Sequence, residues 1–228
     1  MSQLVPTMQP VTRTSLADTA YESILDAILS GRLHAGEEVS EVSLAAALGI
    51  SRTPVAHAVQ RLAAVGLIDR TSGSQPVVAK FERDEVLEIY EMREILESES
   101  AARAATRLAG EWIETLSVEA EKLCTSTRLS NWTERVIDFD IRFHDELAAA
   151  CGNRYLTEKI RQYRLLVRAF CRSTARRGNL LAAMAEHRRI LAALTARDPQ
   201  AARQAMAEHI ATRKQVVLAE MYPNCVVE

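Results

Sequence analysis

The sequence predicts a mostly α protein: an N-terminal winged helix-turn-helix followed by an all-α antiparallel bundle of six helices. Three observations carry this expectation. Residues 44–65, LAAALGISRTPVAHAVQRLAAV, end a short apolar helix at Gly49 and start another almost at once. No proline occurs between Pro76 and Pro199. Aromatic residues are 5 % of the 228-residue chain and glycines number 8, while alanine, leucine, glutamate and arginine, all strong helix formers, dominate.

Residues 1–14 read as an arm carrying Arg13. From Asp18 to Ser30, Tyr21, Ile24, Leu25 and Ile28 keep helical spacing, and Gly31 stops the run. Leu44–Leu48 forms the first helix of the pair, and Gly49 suits the left-handed turn that ends it. Ser51 is a good N-cap, and Pro54 is tolerated in a first turn, where its missing N–H has no partner to lose. The second helix, to about Val65, would enter a major groove N-terminus first, which sets Ser51, Arg52 and Thr53 where phosphates and base edges are met. Two short strands follow, Leu67–Arg70 and Gln75–Ala79, around the turn residues Thr71-Ser72-Gly73-Ser74. The winged-helix domain thus spans residues 1–79, a linker 80–84, and a helical domain 85–228. Its six helices are expected near 84–108, 111–127, 131–151, 153–175, 178–196 and 199–221, with short connections that imply antiparallel neighbours.

Charge narrows the function. The net charge is −2, and the first 80 residues carry six basic against seven acidic groups. A non-specific phosphate-coating protein would be more basic. Arg52 and Arg61 are instead placed on the second helix, which favours specific, dimer-assisted binding to a palindromic double-stranded site. No stretch approaches about 18 uncharged apolar residues, and the N-terminus lacks a signal-peptide pattern. The expectation is a cytoplasmic chain with no membrane partner. Cys124, Cys151, Cys171 and Cys225 show no CxxC spacing and read as reduced, mostly core residues.

The second domain carries an unusual inward set. Ile137, Asp140, His144, Leu147 and Cys151 keep helical spacing, as do Leu180, Met184, His187, Leu191 and Leu194, and Ala202, Met206, His209, Arg213 and Val216. Three of the chain's five histidines therefore sit at the centres of core stripes, one of them a turn from an in-line aspartate. An ionised carboxylate buried alone costs several kcal/mol, so it must be paired or coordinate something. Pattern alone leaves two readings: a hydrogen-bonded polar cluster, or a set of three imidazoles and one carboxylate for a divalent transition metal. Arg93 shares a face with Ile89 and Leu96 and should point inward, where its guanidinium needs an anion, either a protein carboxylate or a ligand. Arg161, Arg164, Arg168 and Arg172 form a stripe on the fourth helix of this domain. A solvated or dimer-facing stripe is its default reading, and an effector contact through Arg168 the sharper one. Glu186 and Glu208 each precede a histidine by one residue, about 100° around the helix, and so make poor general bases for the same ion.

These residues carry a family resemblance. Tyr21 through Gly66, with Ser51-Arg52-Thr53-Pro54-Val55 as its hallmark stretch, resembles the winged-helix domain of GntR-type bacterial transcription regulators. The remainder is similar to the FCD ligand-binding domain of the FadR subfamily. The matching stretches are Glu91-Met92-Arg93 with Leu96-Glu97, Asp140-x-x-Phe143-His144 with Gly152-Asn153, Glu186-His187 and Met206-x-x-His209, and six C-terminal helices resemble the VanR-like branch. The resemblance implies that Asp140, His144, His187 and His209 bind a metal, zinc first, with nickel or manganese as alternatives. It implies a homodimer and a small organic acid effector that contacts the metal and Arg93, and it matches Arg52, Thr53 and the wing residue Gly73 to DNA-contact positions. Ala56 and Val42 stand where relatives carry arginine. His57, beside Ala56, is a candidate substitute or else a solvated helix residue. The function expected is a non-enzymatic transcriptional regulator, a repressor by preference. The alternatives are a regulator for which the ion is the signal, and a metal-dependent hydrolase, which lacks an evident general base such as HExxH would supply.

Overall fold

The computed structural model describes residues 15–70, 75–128, 130–170 and 174–224, and the wing turn with Gly73 lies outside them. The chain forms two compact units that divide after Lys80.

The first unit is built from three helices and a two-stranded antiparallel sheet. Helix α1 (Leu16–Leu29) starts on a capping box, in which Ser15 Oγ accepts from the Asp18 amide at 3.1 Å and the Asp18 carboxylate accepts from the Ser15 amide at 3.3 Å. Helix α2 (Glu41–Leu48) is capped by Ser40, whose hydroxyl accepts from the Ser43 amide at 3.2 Å. It ends at Gly49, left-handed at φ 66° and ψ 30°, where the Ile50 amide donates back to the Ala45 carbonyl. Helix α3 (Arg52–Ala64) then leaves at 119° to α2, the angle of a helix-turn-helix. Ser51 is the N-cap residue of α3, although its hydroxyl makes no capping bond. The apolar face of α3 (Val55, Ala58, Val59, Leu62) is buried with Ala20, Ile24 and Ile28 of α1. Strands β1 (Ile68–Asp69) and β2 (Val77–Val78) pair Ile68 with Val78 and Asp69 with Val77, and Glu38 bridges to Val77. They are shorter than the sequence suggests.

The second unit contains α4 (Arg83–Ala105), α5 (Gly110–Thr125), α6 (Trp132–Ala150), α7 (Arg154–Phe170), α8 (Arg177–Thr195) and α9 (Pro199–Met221). Each lies within a few residues of its expected span, apart from α7, which the structure describes only to Phe170. Helix α4 packs against α6, α7, α8 and α9, so it runs through the middle of the bundle. That position explains why it buries Arg93, Glu97, Ser98 and Ser100 together with its apolar residues. Trp132, Phe139 and Phe143 of α6 fill the core, and the Trp132 indole N–H donates to the Leu123 carbonyl at 2.8 Å. Asp198 caps α9 by accepting from the Gln200 and Ala201 amides, with Pro199 at the first helical position.

Two expectations change. Phe81, assigned to the linker, belongs to the helical unit: its ring lies 5.0 Å from that of Phe170, and its carbonyl accepts from the Tyr222 hydroxyl. On α6 the deepest stripe is Val136, Phe139, Phe143 and Leu147, while Ile137 is 38 % exposed. The helix is rotated from the expected register because two phenylalanines claim the centre, and Asp140 therefore sits at the margin of the core.

A side chain at Gly49 would meet no atom within 4 Å, so only the backbone opposes substitution there. Gly49→Ala should cost about 1–2 kcal/mol, the penalty of a left-handed alanine, read as a lower denaturation midpoint of the full chain by circular dichroism.

Candidate functional site

Four side chains from three helices meet inside the second unit. Asp140 and His144 come from α6, His187 from α8 and His209 from α9, and one ligand-capable atom of each lies within 4.8 Å of all the others. His187 Nε2 is 3.3 Å from His144 Nε2 and 3.4 Å from Asp140 Oδ1. His144 Nε2 is 3.7 Å from the same oxygen. Helical periodicity delivers Asp140 and His144 one turn apart, and the crossing of α8 and α9 brings the other two rings to them. The histidine side chains are closed from solvent, whereas 36 % of the Asp140 side chain is exposed. Phe143 packs against His187, ring centres 4.6 Å apart and tilted by 55°.

Arginines and carboxylates surround the cluster. His144 Nδ1 lies 2.5 Å from Glu97 Oε2, and Arg93 Nε donates to Glu97 Oε1 at 2.6 Å. His209 Nδ1 lies 2.8 Å from Glu186 Oε2, and Arg213 donates to Glu186 Oε1 at 2.8 Å. Arg164 donates to Asp140 Oδ2 at 2.7 Å and to the Asp140 carbonyl at 3.2 Å. Every carboxylate in the cluster thus faces an arginine.

The electrostatics follow from burial and pairing. Burial pushes His144 down to about 4, and the nearby Arg164 adds to the effect against the opposing pull of Glu97. Burial likewise takes His209 to about 3, with Glu186 pulling the other way. Both rings are therefore neutral near pH 7, the state a metal ligand needs. Burial alone would raise the Asp140 carboxyl, but the Arg164 guanidinium holds it well below the usual carboxylate range. Arg93 does the same for the buried Glu97. A set of two neutral imidazoles with locked Nδ1 atoms, a third imidazole and an ionised carboxylate fits a first-row divalent ion by donor chemistry and spacing.

Of the arginines singled out from sequence, Arg93 finds a protein carboxylate, Glu97, one of the two partners left open for it. Arg164 is buried, and Arg168, one turn later, is exposed. In the sequence Glu97 has no assigned role, Glu186 reads only as a poor general base, and Arg164 as part of a solvated or dimer-facing stripe, from which its burial now removes it. The i, i+4 spacing of Arg93 and Glu97 was a usable signal, but only the packing of α9 on α8 brings Glu186 to His209.

In the first unit, Ser51, Arg52, Thr53 and His57 are all exposed along the start of α3. Arg52 keeps 67 % of its side chain accessible, with Glu41 at 3.9 Å. Arg61 differs: it donates to Asp18 at 2.6 Å and stacks over Tyr21 with its guanidinium carbon 4.2 Å from the ring centre. Its charge is thus partly spent on α1 before any phosphate arrives. Among the described residues no single helix is long and apolar enough to cross a membrane.

Comparison with known proteins agrees with this division. The gntR family of bacterial regulatory proteins matches residues 16–78, and the FCD domain matches residues 88–212. Over 208 residues the chain is 29 % identical to a probable D-xylose utilization operon transcriptional repressor of Paenarthrobacter nicotinovorans, covering 90 % of each chain. It is 25 % identical over 223 residues to the HTH-type transcriptional repressor GlaR of Escherichia coli, covering 94 % of this chain and 100 % of GlaR. Among solved structures, E. coli McbR/YncC superposes with a TM-score of 0.76 at 22 % identity, covering 92 % of this chain and 100 % of that one. A GntR regulator from Rhodococcus sp. RHA1 gives 0.69 at 24 % identity, covering 90 % and 99 %.

Arg93 and Glu97 are 3 % and 2 % exposed, so removing one strands the other's charge. Arg93→Met should destabilise the fold by about 3–5 kcal/mol, and adding Glu97→Met to it should recover part of that loss in the same denaturation experiment.

Proposed function

We propose, from the premise that this chain belongs to the GntR family of bacterial regulatory proteins and carries an FCD domain, that it is a metabolite-responsive repressor whose operator affinity is set at the Asp140/His144/His187/His209 centre. That it is a transcriptional regulator rather than an enzyme follows from the family. The finer reading rests on one observation, the convergence of three core histidines and an aspartate on one point. Two relatives of nearly full coverage are named as repressors, which supports repression as the mode.

A divalent ion, zinc by preference and nickel or manganese otherwise, would be held by Asp140 Oδ1 and the three imidazoles. Bound there, it supplies a Lewis-acidic position for an oxygen ligand, here the carboxylate of a small organic acid. Arg164, by engaging Asp140 Oδ2, leaves that carboxylate one oxygen for the ion. The exposed edge of Asp140 is the side from which a ligand arrives, and Arg168 and Arg93 are candidate contacts for its acidic groups. On DNA, two heads of a cytoplasmic homodimer would meet a palindrome through Ser51, Arg52, Thr53 and His57, with Arg61 and the wing residue Gly73 beside them. An effector moves the operator equilibrium only by binding two head arrangements with different affinity.

The hydrolase alternative gains no support from the surroundings of the cluster, where, among the described residues, Glu97, Glu186 and Asp140 are each held by an arginine. The ion-as-signal alternative differs in one measurement. Operator fragments selected from random DNA are titrated with metal-stripped and zinc-loaded protein, with and without a panel of organic acids. The proposal expects zinc alone to change affinity little and an acid to change it several-fold only in the zinc-loaded protein. A full response to zinc alone would make the ion the signal, and no response to any acid would remove the effector. In the same assay Arg52→Ala should cost about 1–3 kcal/mol of specific affinity, whereas Arg61→Ala should cost less, since Arg61 already pairs with Asp18.

A further inference from the structure

We propose that Glu97 and Glu186 are positioning residues of the metal centre, each holding one ligand histidine by its Nδ1–H so that Nε2 is presented to the ion. The inference rests on the metal reading above and assigns roles to residues outside the ligand set. Glu97 Oε2 sits 2.5 Å from His144 Nδ1, and Glu186 Oε2 sits 2.8 Å from His209 Nδ1. An ionised carboxylate can only accept, so in each neutral imidazole the proton must be on Nδ1 and the lone pair on Nε2. The glutamates are themselves fixed: Arg93 occupies Glu97 Oε1 at 2.6 Å, and Arg213 occupies Glu186 Oε1 at 2.8 Å. Two parallel chains result, arginine to glutamate to histidine, entering the cluster from α4 and from α8 with α9. This outer arrangement fixes ring orientation and tautomer, and raises the basicity of the nitrogen offered to a metal.

The third ring provides an internal contrast. His187 Nδ1 is buried and has no hydrogen-bond partner among the described residues. Its orientation comes from packing against Phe139 and Phe143, ring centres 5.6 and 4.6 Å away. The centre therefore has two histidines held at Nδ1 by a carboxylate, and one whose Nδ1 side is held by packing alone while its Nε2 faces Asp140 Oδ1 at 3.4 Å.

The test uses the full-length protein, zinc and a competing chromophoric chelator. Glu97→Gln and Glu186→Gln, which keep an accepting oxygen but lose the charge, should each weaken zinc binding about 10–100-fold, and Glu97→Ala should weaken it more than Glu97→Gln. A purely structural role would leave zinc affinity unchanged, and nitrogen-15 NMR of the metal-free wild type checks the geometry with a second readout that needs no variant. His144 and His209 should both carry the proton on Nδ1. An Nε2–H tautomer at either ring, or wild-type zinc affinity in both glutamine variants, overturns the proposal. Absence of zinc binding by the wild type would instead remove the metal reading itself, and this inference with it.

Discussion

The constraint on which the helical unit depends is that, among the described residues, every charge buried in its core is paired. A bundle of six helices has little room for polar groups, and a stranded carboxylate or guanidinium there costs several kcal/mol. This one buries Arg93, Glu97, Arg164 and Glu186 around three imidazoles. It succeeds because the charges alternate in sign, Arg93 with Glu97, Arg164 with Asp140, and Arg213 with Glu186. Such pairs are weak evidence for stability, because well-packed apolar residues of the same volume would often do as well. Their retention in a core is better explained by what they hold in place.

Seen this way, the placement of α4 makes sense. It runs between α6, α7, α8 and α9, so its inward residues reach nearly every other element of the unit except α5. Glu97 lies where it can touch His144 of α6 and approach Arg164 of α7, 3.9 Å away. A helix of purely apolar residues in that position would fill the same volume but would leave His144 Nδ1 without the acceptor that fixes its proton there. The three helices that carry the Asp/His cluster and the central one are thereby tied through a polar network as well as through their apolar contacts.

Much of this was legible in the sequence. Gly49 between two short helices, with Ser51-Arg52-Thr53-Pro54 after it, is a local signal, and local signals survive folding. The histidines could be placed because each sits mid-stripe on an apolar face, a property of one helix read alone. What could not be read was anything needing two helices at once. The rotation of α6 that exposes Ile137 and leaves Asp140 at the margin depends on Phe139 and Phe143 competing for the centre. The partnership of Glu186 with His209 depends on how α8 and α9 cross. Arg164 looked like one of four similar arginines on a helix, and only the packing of α7 on α6 turns it toward Asp140. Arg61, placed by the sequence on the DNA-reading helix, is also engaged by Asp18 and Tyr21 of α1 for the same reason.

The modest charge of the DNA-reading unit bears on how regulation can work at all. With acidic groups outnumbering basic ones in its first 80 residues, and with Arg61 already paired, a single head has few groups to spend on phosphates. In the homodimer proposed above, specific binding would come from two heads engaging together, where the second contact forms at the high effective concentration set by the first. That gain disappears when geometry forbids simultaneous engagement. Weak heads are therefore well suited to control from a distance, because a small change in their arrangement removes the whole avidity term. A strongly basic head would hold DNA through either half and would be nearly indifferent to the same change. The acidic residues of the first unit, which at first argue against nucleic-acid binding, would in this sense make the proposed ligand-set switch physically effective.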